Sequence, residues 1–306
     1  MRTIAVASGK GGTGKTTVTA LFAHEAARSG GVVLADCDVE AANLPIALGA
    51  RDPRCSAFAG GATAEIDPAA CSSCGACVDV CRFGAVVPPP AGTPSAYRVD
   101  VWACEGCGAC ARACPSAAIA MRPSRAGEAC VARSAAGPIT YGALRPGEDL
   151  SGKLVTEVRT LARRHAETTG AAHLIIDGPP GTGCPVIAAI SNADLLVAVT
   201  EPSASGEHDL VRLVGLARQL EVPVAVVLNK TDLSATGAAR LRALCTRERL
   251  SLLGEVPFDP DLATLLARMA DSADPAAVAG VVQSPGAEAV RAVWQRLSTA
   301  REPTVG

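Results

Sequence analysis

The pattern C-x2-C-x2-C-x3-C occurs twice in this chain, at Cys71, Cys74, Cys77 and Cys81 and again at Cys104, Cys107, Cys110 and Cys114. Each cysteine has a counterpart 33 residues later, so the two runs are an internal duplication. They hold eight of the 13 cysteines in a chain of 306 residues. The opening, MRTIAVASGK, lacks the charged, apolar and cleavage-site succession of a signal peptide, and no apolar run is long enough to cross a bilayer. The chain is therefore expected in the cytoplasm. A reducing compartment disfavours disulfides, and clustered cysteines there bind metal or carry redox chemistry. Zinc also uses C-x2-C pairs, but as two pairs around one ion. Two overlapping sets of four thiols, the second ending in Cys114-Pro115, suit iron–sulfur clusters better.

The spacing resembles that of bacterial-type ferredoxins, in which the fourth cysteine of each run reaches the other cluster. The resemblance implies two [4Fe–4S] clusters. Cys71, Cys74, Cys77 and Cys114 would hold one, and Cys104, Cys107, Cys110 and Cys81 the other. Gly75, Gly106 and Gly108 fit tight loops around sulfur, and Ala76 and Ala109 leave room for a cluster. The first run departs from the pattern, because Arg82 rather than proline follows Cys81. Gly- and Ala-rich stretches flank the pair, FAGGATAEIDP before and MRPSRAGEA after, and VVPPPAGTP reads as a loop between the halves. A ferredoxin-like α+β module over 63–124 is expected, inserted into a second domain made of 1–62 and 125–306.

That second domain announces itself in GKGGTGKT, Gly9 to Thr16, which satisfies G-x4-G-K-[ST]. It follows a short apolar run, Ile4 to Ala7, and precedes a helical pattern over 17–28. This is the strand–loop–helix context of a phosphate-binding loop. Amides of Gly9, Gly11, Gly12, Thr13 and Gly14 and the helix start, with Thr17, would face the phosphates. Lys15 would bind the β- and γ-phosphates, and the Thr16 hydroxyl would ligate Mg²⁺. Apolar runs recur at 2–7, 32–36, 173–176, 195–200, 223–228 and 251–256. Helical patterns at 152–167, 207–219 and 235–249 lie between them. Alternation of this kind predicts an α/β fold with a doubly wound, mostly parallel sheet. Nucleotide binds beyond the carboxyl ends of such strands.

Lys10 makes the resemblance specific. The loop KGGTGKT resembles the deviant Walker A loop of the MinD/ParA/Mrp superfamily, to which the nitrogenase iron protein is related. The resemblance implies that Lys10 acts across a homodimer on the partner's ATP. VVLADCDVEAANL resembles the first switch, with Asp38 orienting the attacking water and Asp36 near Mg²⁺. HLIIDGPPGTG resembles the second switch, with Asp177 holding the Mg²⁺ shell. VAVVLNKTD places Asn229 at the base. Its NKTD also resembles a guanine-reading motif with Asp232 as reader, but EVPFD, including Pro257, resembles the adenine-side loop, and ATP is favoured. Cys184 lies at the offset from Asp177 at which the iron protein ligates a cluster shared by two subunits, which implies a bridging metal or cluster there. Cys37, Cys55, Cys130 and Cys245 are scattered and read as structural.

The net charge of −2, without long runs of either sign, argues against a dedicated nucleic-acid binder. The terminal stripe Val290, Val293, Trp294 and Leu297 is short and not basic, so it reads as a core-docking helix rather than a membrane anchor. GEDLSGKLVTEVR is also similar to a segment of superfamily members carrying an inserted ferredoxin domain. Three functions follow from the resemblance. The first is ATP-dependent electron transfer to a redox partner, the second a carrier of metal cofactors for a client, and the third a positioning ATPase with redox-sensing clusters. An amidating cobyrinate synthase, which shares the core, needs a glutaminase domain for which the chain has no room.

Overall fold

A computed structural model describes residues 1–90, 96–262 and 284–299; the end of the VVPPPAGTP stretch lies outside them. The chain divides into two units. Met1–Ser56, Ala129–Leu144 and the described residues from Ser151 on form the first, and Ala57–Glu128 with Arg145–Leu150 the second.

The first unit starts β1 (Arg2–Ser8), α1 (Lys15–Ala27), β2 (Val32–Asp36), α2 (Leu44–Ala47) and β3 (Arg51–Ile66), the last of which crosses into the second unit. There follow α3 (Ala76–Asp79), β4 (Val86–Val87), β5 (Arg98–Val99) and α4 (Ala109–Ala113). The chain returns along β6 (Ile119–Arg133) to β7 (Pro138–Leu144), α5 (Ser151–Thr169), β8 (His173–Pro180) and α6 (Cys184–Ile190). It closes with β9 (Leu195–Thr200), α7 (Ala204–Gln219), β10 (Val224–Asn229), α8 (Ala235–Arg247), β11 (Ser251–Val256) and α9 (Pro285–Thr299).

The sheet order is β11-β10-β9-β1-β8-β2-β7-β6-β3. From β11 to β7 all neighbours are parallel. Continuous apolar runs, such as Ile4–Ala7 and Leu195–Val199, are buried on both faces, as a sheet covered by helices requires. The helices start where the sequence supplies caps. Ser203 and Ser234 accept the N–H of Gly206 and Gly237, both at 3.1 Å, ahead of α7 and α8. α9 docks on the core as its stripe predicts. Trp294 is buried, with its ring 5.2 Å from Phe22 and 5.3 Å from His173. Because β8 lies between β1 and β2 and runs parallel to both, the carboxyl ends of the three lie side by side. Asp36 and Asp177 face each other as register partners across β2 and β8.

The second unit pairs β4 with β5 in antiparallel fashion, Val86 opposite Val99. Its small core joins Ala64, Val86 and Ile119 to Cys77 and Cys110.

Three features differ from or add to the sequence reading. First, the flanking stretches, which lie outside the apolar runs read as strands, are strands. FAGGATAEIDP falls mostly in β3, and MRPSRAGEA wholly in β6. Strand propensity misses them because glycine, alanine and proline are poor strand formers. β3 is nevertheless the last strand in the order, and an edge strand tolerates Pro53 because one side of its backbone needs no ladder partner. Second, the second unit is wider than 63–124. Residues 145–150 join it because the Arg145 N–H donates to the Ala126 carbonyl at 2.9 Å, and a side chain at Gly60 would strike Leu150 and Ala126. Third, Cys55 and Cys130 form a disulfide, 75 residues apart in sequence. The pairing of β3 with β6 brings them opposite each other, and no local pattern encodes that.

Candidate nucleotide site and cysteine cavities

The loop after β1 turns on Gly12 and Gly14, at φ 79° and 90°, a left-handed region that glycine enters freely. Gly14 ends the turn, and α1 begins at Lys15. A side chain at Gly14 would collide with the Asn229 amide, which donates to the Thr13 carbonyl at 2.7 Å. Asn229 thus braces the loop from the end of β10. The Thr13 hydroxyl is buried without a hydrogen-bond partner, an orphaned polar group within the glycine loop.

Lys15 is buried, and its Nζ lies 3.2 Å from Asp38 Oδ2. Burial opposes its charge, yet Asp177, Asp38 and Asp36 outweigh that, and its pKa stands above the ordinary lysine value. Asp36 is fully buried. Its Oδ1 accepts the Asp38 N–H and its Oδ2 the Leu44 N–H, both at 2.9 Å, so it holds the first-switch backbone in shape. Asp177 accepts the Thr16 hydroxyl at 2.8 Å and the Thr19 hydroxyl at 3.1 Å. Burial first, then mutual repulsion, pushes Asp36 well above the usual carboxylate range. Burial also raises Asp177, although Lys15 pulls the other way. Two such carboxylates beside a hydroxyl form a hard oxygen donor set that fits Mg²⁺. Thr16, Asp36 and Asp177 would hold the ion.

Lys10 does not stand free in solvent. Its Nζ lies 2.6 Å from Glu201 Oε1 and donates to Ser203 and Ser205 Oγ, each at 3.1 Å. Lys230 takes the other Glu201 oxygen at 2.9 Å and donates to the Gly12 carbonyl at 2.7 Å. Asp232 Oδ1 accepts the Phe258 N–H at 2.5 Å, tying the NKTD turn to the loop that contains Pro257. Sequence reasoning missed Thr19, Glu201 and Lys230. Thr19 has a signal, since it lies one turn beyond Thr16 on the same helix face. Glu201 has only its place just past the carboxyl end of a parallel strand.

In the second unit the eight clustered cysteines divide into two cavities. Cys71, Cys74, Cys77 and Cys114 line one, with about 280 Å³ of empty space, beside Tyr97 and Ile119. Cys81, Cys104, Cys107 and Cys110 line the other, of about 350 Å³, beside Phe83 and Val99. The fourth cysteine of each run has crossed to the opposite cavity. The duplication extends to hydrogen bonds: the Ala85 N–H donates to Cys81 Sγ and the Ala118 N–H to Cys114 Sγ, both at 3.3 Å. Against opposing burial, backbone N–H groups of Phe83, Ala85, Val86 and Gly84 hold the Cys81 thiol below its usual pKa. The Ser116 hydroxyl, then the Ala118 N–H, does the same for Cys114. Four soft thiols per cavity, with amides aimed at sulfur, fit a [4Fe–4S] cluster.

Cys184 is exposed at the first residue of α6. Cys37 is buried, and burial pushes its thiol far up. Burial moves Cys245 up to about 11. Both behave as inert core residues. Among the described residues no helix is long and apolar enough to cross a membrane.

A model of the CobQ/CobB/MinD/ParA nucleotide binding domain matches residues 4–272. The uncharacterized protein MJ0578 of Methanocaldococcus jannaschii is 31% identical over 265 residues, 86% of this chain and 87% of that protein. An iron-sulfur cluster carrier protein of Rickettsia bellii is 32% identical over 94 residues, 30% of this chain and 29% of the carrier. Among solved structures, the septum site-determining protein MinD of Pyrococcus horikoshii OT3, complexed with Mg-ADP, shares the fold. Its TM-score is 0.57 at 17% identity, covering 97% of this chain and 96% of that one.

Proposed function

We propose, from the premise that this chain belongs to the CobQ/CobB/MinD/ParA nucleotide-binding family, that its ATPase cycle governs electron transfer through two [4Fe–4S] clusters. The family makes the chain a nucleotide-binding ATPase with an α/β P-loop fold. Everything beyond that is our reading.

The observation that carries it is the division of the eight cysteines into two cavities of four, with Cys81 and Cys114 exchanged. Scattered structural cysteines have no reason to sort this way. When bound, such clusters store and pass single electrons. Cys71, Cys74, Cys77 and Cys114 would hold one, and Cys81, Cys104, Cys107 and Cys110 the other.

On the nucleotide side, Lys15 binds the phosphates, and amides of the glycine loop complete the cradle. Thr16 and Asp177 are joined directly, at 2.8 Å, where Mg²⁺ would come between them. Asp38, held at 3.2 Å from Lys15, orients the attacking water once phosphate draws Lys15 away. Asp36 keeps the switch backbone ready for that change. The switch contacts a γ-phosphate only while it is present. Two chains pair around ATP, Lys10 reaching the partner's nucleotide, and an electron-transfer protein is the partner.

A second reading is a carrier of iron–sulfur clusters or another metal cofactor. The exposed Cys184 beside the second switch and the partial likeness to the Rickettsia carrier favour it. Anaerobic purification tests the first reading. We expect about eight irons per chain and ATP turnover that Lys15→Ala abolishes without loss of iron. Fewer than four irons, or zinc in their place, would overturn the cluster assignment. Iron that leaves for an acceptor protein only when Cys184 is present would favour the carrier.

A further inference from the structure

Glu201 belongs to no motif, yet it gathers the nucleotide loop's surroundings onto one carboxylate. We propose that Glu201 is a positioning residue that latches Lys10 onto its own protomer, so that pairing around ATP requires the latch to open. This rests on the reading of Lys10 as the residue that reaches the partner's nucleotide.

An ammonium has three N–H donors. Those of Lys10 face three acceptors: Glu201 Oε1 at 2.6 Å, and Ser203 and Ser205 Oγ at 3.1 Å each. With all three taken, Lys10 can bind a phosphate only by giving up this set. The lysine backbone is fixed too, because the Ser8 hydroxyl donates to the Lys10 carbonyl at 2.7 Å. Opening is therefore a movement of the side chain.

The other Glu201 oxygen explains why the latch persists. It accepts Lys230 Nζ at 2.9 Å, and Lys230 in turn donates to the Gly12 carbonyl at 2.7 Å. Lys230 itself stands at φ 56°, a left-handed conformation that places its side chain from the turn after β10. Glu201 is thus anchored to the loop independently of Lys10. Two cations outweigh the burial that opposes its charge and hold Glu201 below the usual carboxylate range. The pair with Lys10 remains partly exposed, at 28% and 19% for the two side chains. Ion pairs of that exposure are weak. The latch is strong enough to set a resting position and weak enough for a nucleotide phosphate to displace.

The test is the concentration of a non-hydrolysable ATP analogue at which the holoprotein pairs, read by sedimentation velocity in Mg²⁺. Removing a latch raises the competent fraction and lowers the apparent midpoint by the same factor. Glu201→Gln should lower it roughly three- to tenfold. Ser205→Ala, which strips one acceptor from Lys10 and leaves the Ser203 helix cap intact, should shift it the same way by a smaller factor. In a Lys10→Ala background Glu201→Gln should have no effect of its own, because the coupling runs through Lys10. Thermal unfolding separates a damaged loop from a released latch: the released latch leaves the midpoint of unfolding within about a degree. A Glu201→Gln pairing midpoint equal to or above wild type, or an equal shift in the Lys10→Ala background, overturns the latch. If the wild-type chain never pairs with the analogue, the dimer reading of Lys10 falls, and the latch falls with it.

Discussion

Replacing Lys15 with alanine removes the ammonium that Asp177, Asp38 and Asp36 surround. Its pair with Asp38 is 11% and 17% exposed on the two sides, so the change belongs with broken buried pairs, at about 3–5 kcal/mol. For a chain of this size that is a fall in unfolding midpoint of roughly 5–8 °C. The pH dependence has a definite sign. Asp36 and Asp177 already have folded-state pKa values above their unfolded ones, from burial first and repulsion after. Groups of that kind cost stability as pH rises through the folded value, and the cost vanishes below the unfolded value. Without Lys15 the cost grows. Lys15 itself is raised, so its own contribution is lost only in alkali, above its unfolded value. The deficit of Lys15→Ala should therefore be full near pH 8 and shrink towards pH 5. Circular dichroism melts of anaerobic protein at both pH values read this directly. The thermal shift that Mg-ATP gives the wild type should also be absent in the variant. An unchanged melt at pH 8, or a deficit that widens as pH falls, would refute the electrostatic account. Normal ATP turnover by the variant would refute the phosphate-loop assignment itself.

Cys114→Ala should empty the cavity of Cys71, Cys74 and Cys77 while leaving the one bounded by its own neighbours Cys104, Cys107 and Cys110 loaded, and Cys81→Ala should do the reverse. Iron would fall to about four per chain in each, and the two residual electron paramagnetic resonance spectra would differ. Loss confined to the run in which the mutation lies would sink the crossed arrangement. Trp294→Ala removes a buried ring from contact with Phe22 and His173 and should cost about 3–5 kcal/mol in unfolding, with iron content unchanged. A melt like wild type would mean that α9 does not dock on the core.

The parallel core was legible because its strands are apolar on both faces and the helices between them keep their own period. The cysteine cavities were legible for a different reason. The duplicated spacing ties the two runs together, and Cys114 lines the cavity away from its neighbours in sequence, as the resemblance to ferredoxins implied. The parts that escaped depend on long-range pairing. β3 and β6 carry glycine, alanine and proline, and only the ladder between them makes them strands. Cys55 and Cys130 meet across that same ladder, 75 residues apart, so they could be read as structural but not as a pair. Glu201 escaped because a lone acid after a strand says nothing until the fold brings Lys10 and Lys230 to its two oxygens. Asn229 was expected at the base; in the structure its amide donates to the Thr13 carbonyl, a bracing contact that the NKTD motif does not encode.

Coupling between the nucleotide site and the clusters is the central claim, and a potentiometric titration of the anaerobic protein tests it most directly. The clusters would be reduced stepwise in Mg-ADP and then in Mg²⁺ with a non-hydrolysable ATP analogue, with iron counted on the same sample. The account predicts about eight irons per chain and reduction potentials that differ between the two nucleotides. Full iron with identical potentials would contradict it, and the clusters would then serve beside an ATPase that acts on something else.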